Sequence, residues 1–268
     1  MPFVPSRGCP LDRGRREETF LISTAAGGIP TAVHYPERLP APVIVCCHGL
    51  FSAKDSSKFV SIGEEWSRQG FVVFRFDFPG CGESRVYPGP DLLSGRVRDL
   101  HAVLEHVSTQ PWFDGRIGLL GSSLGGTIAL LVAASGNHPV RALVCWATPF
   151  DLHRLKSAVE EWDVMKELYP AGFSLGSPVT LESLSPVPGV LVLHGRQDES
   201  VPWQDAGEIY LRAEEPKRLV LLETGDHRLL DPECRRLALK ISRDWFVELG
   251  LRPGGEDREL VSGAGSTP

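Results

Sequence analysis

Ser123 stands in Gly121-Ser122-Ser123-Leu124-Gly125, a spacing that suits a serine nucleophile carried on a sharp strand-to-helix turn. Glycines on either side remove the Cβ atoms such a turn would crowd, and the strained backbone pushes the hydroxyl outward. The pattern alone arises often by chance, and a plain helix N-cap, with Ser122 or Ser123 bonding a backbone N–H, explains it too. The run after it, Gly126-Thr-Ile-Ala-Leu-Leu-Val-Ala-Ala, reads as a buried helix whose N-terminal end would favour developing negative charge at the same place.

A serine hydroxyl is a weak nucleophile near neutral pH; it needs a base, and the base needs a carboxylate to fix its tautomer. His227, in Gly225-Asp226-His227, is the only histidine beyond His194 and follows an apolar run. Asp198, in His194-Gly-Arg-Gln-Asp198, also follows an apolar run; Asp226 is its main competitor and Glu199 a weaker one. Neighbouring side chains on an extended loop point apart, which favours Asp198 over Asp226 as the partner of His227. The chain order Ser123, Asp198, His227 is that of α/β-hydrolases and differs from the chymotrypsin and subtilisin orders.

The oxyanion of an acyl-transfer intermediate needs two donors. The N–H of Leu124 is one candidate; Leu50, in the loop His48-Gly49-Leu50-Phe51, is the other, with Phe51 behind it. His48 reads as a brace for that loop, with Gly49 making its turn. Asp77, in Asp77-Phe-Pro-Gly80-Cys81-Gly82-Glu-Ser84, reads as structural, and Cys81 is a candidate thiol of the kind that is usually inert. The Gly-x-Gly here does not make a dinucleotide site, because Arg85-Val-Tyr-Pro-Gly-Pro cannot continue as a helix.

These residues need a frame. Phe20–Ser23 and Thr31–Tyr35 predict an opening antiparallel hairpin. Short apolar, β-branched runs then recur at Val43–Cys47, Phe71–Phe76, Ile117–Leu120, Ala142–Trp146, Val190–Leu193 and Leu219–Leu222. Helical stretches separate them at 55–69, 92–109, 123–135, 204–213 and 234–249, a pattern that predicts an α/β fold with a parallel sheet covered on both faces. The candidate residues then fall at the carboxyl ends of strands, where open α/β sheets collect reactive groups.

The domain is expected over 19–250, with a loose arm at 1–18 and a flexible tail at 251–268. Two readings stay open for about 150–187. It is a small lid bringing Trp162, Tyr169 and Phe173 to a substrate pocket shared with Phe51, or it is a crossover helix and loop whose aromatics only pack.

A net charge of -6, with acids and bases interspersed, excludes a phosphate-neutralising stripe and so a nucleic-acid partner. Six cysteines without metal-ligand spacing suggest reduced thiols. No apolar run reaches the roughly 20 residues of a membrane span, and the start lacks a signal-peptide pattern. A cytoplasmic protein is expected.

His48-Gly49, Asp77-x-x-Gly80-x-Gly82-x-Ser84, Gly121-x-Ser123-x-Gly125, His194-Gly-x-x-Asp198-x-x-Val201-Pro202 and Gly225-Asp-His227, in that order, resemble the landmarks of the α/β-hydrolase superfamily. The resemblance implies a mostly parallel central sheet with an N-terminal antiparallel hairpin, helices on both faces and a small insert after the sixth strand. It implies a cofactor-free serine esterase acting on a small-molecule ester, near the cinnamoyl/feruloyl-esterase-like and acyl-peptidase-like branches. The insert is shorter than the cap usual in feruloyl-esterase-like proteins, which leaves substrate preference open. Dienelactone hydrolases carry Cys at the place of Ser123. A thioesterase or acyl-peptidase with the same triad is the enzymatic alternative; a ligand-binding protein with a dead triad is the non-enzymatic one.

Overall fold

A computed structural model describes residues 17–84, 91–153, 175–176 and 180–254. The chain opens with β1 (Glu17–Thr24) and β2 (Gly27–His34), an antiparallel pair turning at Ala25-Ala26. There follow β3 (Ala41–Cys47), α1 (Ser57–Arg68), β4 (Val72–Phe76), α2 (Leu92–Ser108), β5 (Phe113–Ser122), α3 (Leu124–Ala134) and β6 (Val140–Trp146). Last come β7 (Pro188–Gly195), α4 (Gln204–Arg212), β8 (Glu214–Leu222) and α5 (Pro232–Glu248). The hairpin turn is tighter than the sequence suggests: Gly27 to Pro30 already belong to β2, and the Pro30 carbonyl accepts from Asp77 N–H.

Among the described residues eight strands form one sheet in the order β1-β2-β4-β3-β5-β6-β7-β8. β2 lies antiparallel to β4, and β4, β3, β5, β6, β7 and β8 run parallel to their neighbours. The apolar runs of the parallel strands are explained by burial on both sides. Val43, Val45 and Cys47 join a core with Leu100, Ile128 and Ile209 of α2, α3 and α4, while Ile44 and Cys46 join a second core with Trp66 of α1 and Phe246 of α5. Period-two alternation is present in the backbone and invisible in hydrophobicity, because each face has helices to bury against.

Asp231 caps α5, its carboxylate accepting from Cys234 N–H, so that helix begins two residues before the expected start, with Pro232 in its first turn. Among the described residues no helix is long and apolar enough to cross a membrane. The long connection from β6 to β7 contains Trp162, Tyr169 and Phe173, which lie outside the described residues.

Candidate active site

The parallel strands bring the loops after β3, β4, β5, β7 and β8 to one edge. Gly121 on β5 pairs with Cys145 on β6, and Ser122 with Trp146, so the chain leaves β5 directly into the turn at Ser123. Ser123 adopts φ 54° and ψ -130°, a conformation that strains a residue bearing a Cβ. It is held there: Ser123 N–H donates to the Trp146 carbonyl at 2.8 Å, and Gly126 N–H donates to the Ser123 carbonyl at 2.8 Å. The Ser123 hydroxyl does not cap α3, so the simple N-cap explanation of the motif is not what the structure shows. The flanking glycines are required by contact. A Cβ on Gly121 would meet the Gly125–Gly126 backbone, and one on Gly125 would meet the Cys47 and His48 carbonyls.

That second contact locks the start of α3 against the loop after β3. Gly49 passes so close that a Cβ on it would lie 3.1 Å from Ser123 Cβ. Leu50, the expected donor, follows directly; Leu124 is fully buried at the start of α3. His48 supports this loop from below. Phe78 N–H donates to His48 Nε2 at 3.0 Å, which leaves the proton on Nδ1, where it is donated to the Gly49 carbonyl at 2.7 Å. Burial, then the nearby Arg96 charge, pushes the His48 pKa down to about 3, so this ring stays neutral.

Two further groups pin the same loop. Asp77 accepts from Lys54 N–H at 2.7 Å and Glu83 N–H at 2.9 Å, tying the segment after Phe51 to the Gly80–Gly82 turn. Arg96, buried on α2, donates to the Gly49 carbonyl at 3.3 Å and to Cys81 Sγ at 3.3 Å and lies 4.7 Å from the Phe78 ring centre. Phe51, with φ 53°, lines an open cleft of about 480 Å³ together with Ser52, Ala53, Asp55, Ser56 and Gly80 to Gly82.

Asp198 and His227 come together from the loops after β7 and β8. Their approach is 2.8 Å from His227 Nδ1 to Asp198 Oδ2, with the carboxylate fully buried and the imidazole 18% exposed. Asp226 is turned away and accepts from Leu230 N–H at 2.8 Å; Glu199 reaches only the backbone N–H of His227, at 3.3 Å. Burial would raise the Asp198 pKa, but hydrogen bonds from His194, His227 and Val201 N–H overcome it and hold the carboxyl well below the usual carboxylate range.

His194 is the residue whose part the sequence does not reveal. It reads as a strand-end landmark, yet its fully buried ring approaches Asp198 Oδ2 at 3.0 Å and the Val201 carbonyl at 3.1 Å. Both partners are acceptors, so Nε2 carries the proton. The four-residue separation of His194 and Asp198 across a strand end was the available signal.

A family model for the alpha/beta hydrolase fold matches residues 42–175, half of the chain. The chain is an α/β hydrolase. Protein YfhR of Salmonella typhi is 31% identical over 208 residues, covering 74% of this hydrolase and 68% of that protein. Palmitoyl-protein thioesterase ABHD10, mitochondrial, of Mus musculus is 29% identical over 237 residues, covering 80% of this chain and 78% of that one. The solved structure of mouse alpha/beta hydrolase domain-containing protein 10 superposes with a TM-score of 0.69 at 23% identity, over 87% of this hydrolase and 99% of that chain.

Proposed function

We propose that this hydrolase cleaves carboxylic esters through an acyl-enzyme formed on Ser123. The observation that carries the reading is the buried Asp198 carboxylate bonded to His227 Nδ1, at the same sheet edge as the strained Ser123 turn. Asp198 holds His227 with its proton on Nδ1, leaving Nε2 free to accept. The Ser123 hydroxyl attacks the acyl carbon while His227 Nε2 takes its proton. The N–H groups of Leu50 and Leu124 hold the oxyanion, and His227 returns the proton to the departing alkoxide as the acyl–oxygen bond breaks. Water, deprotonated by the same nitrogen, then releases the acid and restores Ser123.

A fluorophosphonate probe labels the native protein and not Ser123→Ala; equal labelling of both overturns the assignment. His227→Ala lowers kcat by roughly six orders of magnitude and Asp198→Asn by roughly four while the fold is kept. Thioester cleavage is the second reading, favoured by the relative named a palmitoyl-protein thioesterase. The triad chemistry is common to both, so matched oxygen and thiol esters of one acid, compared by kcat/KM, separate them.

A further inference from the structure

The start of α1 and the β8–α5 loop bring more positive charge to the Ser122–Ser123 turn than the proposed chemistry uses. Lys58, second residue of α1, donates from Nζ to Ser122 Oγ at 2.6 Å, the one hydrogen-bond acceptor it has among the described residues. That acceptor is a neutral hydroxyl. Lys58 is half-buried, and its charge is opposed by Arg235 and Arg228 and favoured by Asp226. Burial first, then the two guanidinium groups, brings its pKa down to about 8.

Asp226, the carboxylate whose charge favours Lys58, makes no hydrogen bond to it among the described residues and accepts from Leu230 N–H at 2.8 Å. Arg235 commits its Nε to the Leu229 carbonyl at 2.9 Å, and exposed Arg228 has no hydrogen bond or ion pair among the described residues. The first turn of α1 has no acidic residue, so the positive end of the helix adds to the same field. An ammonium drawn partly out of water beside two guanidinium groups, with a neutral partner, is unfavourable until an anion joins it.

The place matters as much as the charge. Lys58 holds the residue before Ser123, and Arg228 follows His227 directly. We propose that Lys58, Arg228 and Arg235 form an anion-binding subsite of the candidate active site, selecting substrates that carry a carboxylate or phosphate within reach of the scissile carbonyl. This rests on the hydrolase reading of Ser123. It also accounts for a concentration of cations at one spot in a chain of net charge -6.

The test compares kcat/KM within three matched pairs. Monomethyl glutarate against methyl pentanoate places a carboxylate on the acyl side, and 3-acetoxybenzoate against phenyl acetate places one on the leaving group. Butyryl-coenzyme A against S-butyryl-N-acetylcysteamine presents phosphates. The wild-type protein favours the anionic member of at least one pair. In that pair Lys58→Met and Arg228→Gln each lower the anionic-to-neutral ratio roughly tenfold, as expected for loss of one charged contact, and Lys58→Arg preserves it. Arg228 is exposed, so its variant reports even if Lys58→Met unfolds. Ratios equal in wild type and variants, with neutral esters still turned over, overturn the subsite alone; no turnover of any member of the three pairs by the wild type overturns the hydrolase reading and the subsite together.

Discussion

Asp198 keeps a charge in the interior because hydrogen bonds converge on it from Ser200 N–H, Val201 N–H, His194 Nε2 and His227 Nδ1. An aspartate in an unfolded chain titrates near about 3.9, and this one titrates lower in the fold, so the unfolded state binds the proton more readily. Its contribution to stability is therefore present above about pH 4 and is lost as pH falls through the folded value. Thermal unfolding of Asp198→Asn checks this: its Tm lies below that of the native protein at neutral pH, and the gap narrows in acid below about pH 4. At this scale Ser123, Asp198 and His227 were legible as candidates from residue type and order, with Asp226 and Glu199 as competitors for the carboxylate. His194 and Lys58 were not, because a histidine in an apolar run and a lysine on a helix look ordinary until their partners, Asp198 and Ser122, are placed beside them.

Elements meet at the glycines. Gly125 sits where α3 presses on the end of β3, and a Cβ there would strike backbone carbonyls of Cys47 and His48, which cannot rotate away. Gly125→Ala is expected to cost about 3 kcal/mol or more in urea unfolding, since relief requires shifting a strand or a helix. Gly207, inside α4, is the opposite case: a Cβ on it meets nothing within 4 Å, and its φ is not positive. Gly207→Ala should stabilise by roughly 0.5–1 kcal/mol by the same measurement, through helix propensity and a less flexible unfolded chain. The parallel strands and their helices were legible because apolar β-branched runs and helical stretches alternate with little ambiguity. The capped start of α5 was read late, since Asp231 and Pro232 register as a helix signal only once the cap is recognised.

The described residues form one sheet with a core on each face, and every strand from β3 to β7 contributes to both. Neither face can melt alone without exposing the other side of the same strands. Heating is therefore expected to give coincident far- and near-ultraviolet circular dichroism transitions, the near-ultraviolet signal coming from buried Trp66, Trp146 and Trp245. A separate earlier loss of the aromatic signal would contradict this coupling. What the sequence by itself determined is the alternation of buried strands and helices, and the residue types and chain order available at the strand ends, because periodicity and local turn chemistry are properties of neighbouring residues. Only the tertiary structure decided that His227 meets Asp198 and not Asp226, that His194 backs the carboxylate, and that Lys58 reaches Ser122 between two arginines. Those choices depend on distance through space and on withdrawal from water, which arise only when loops far apart in the chain are brought to one edge of the sheet.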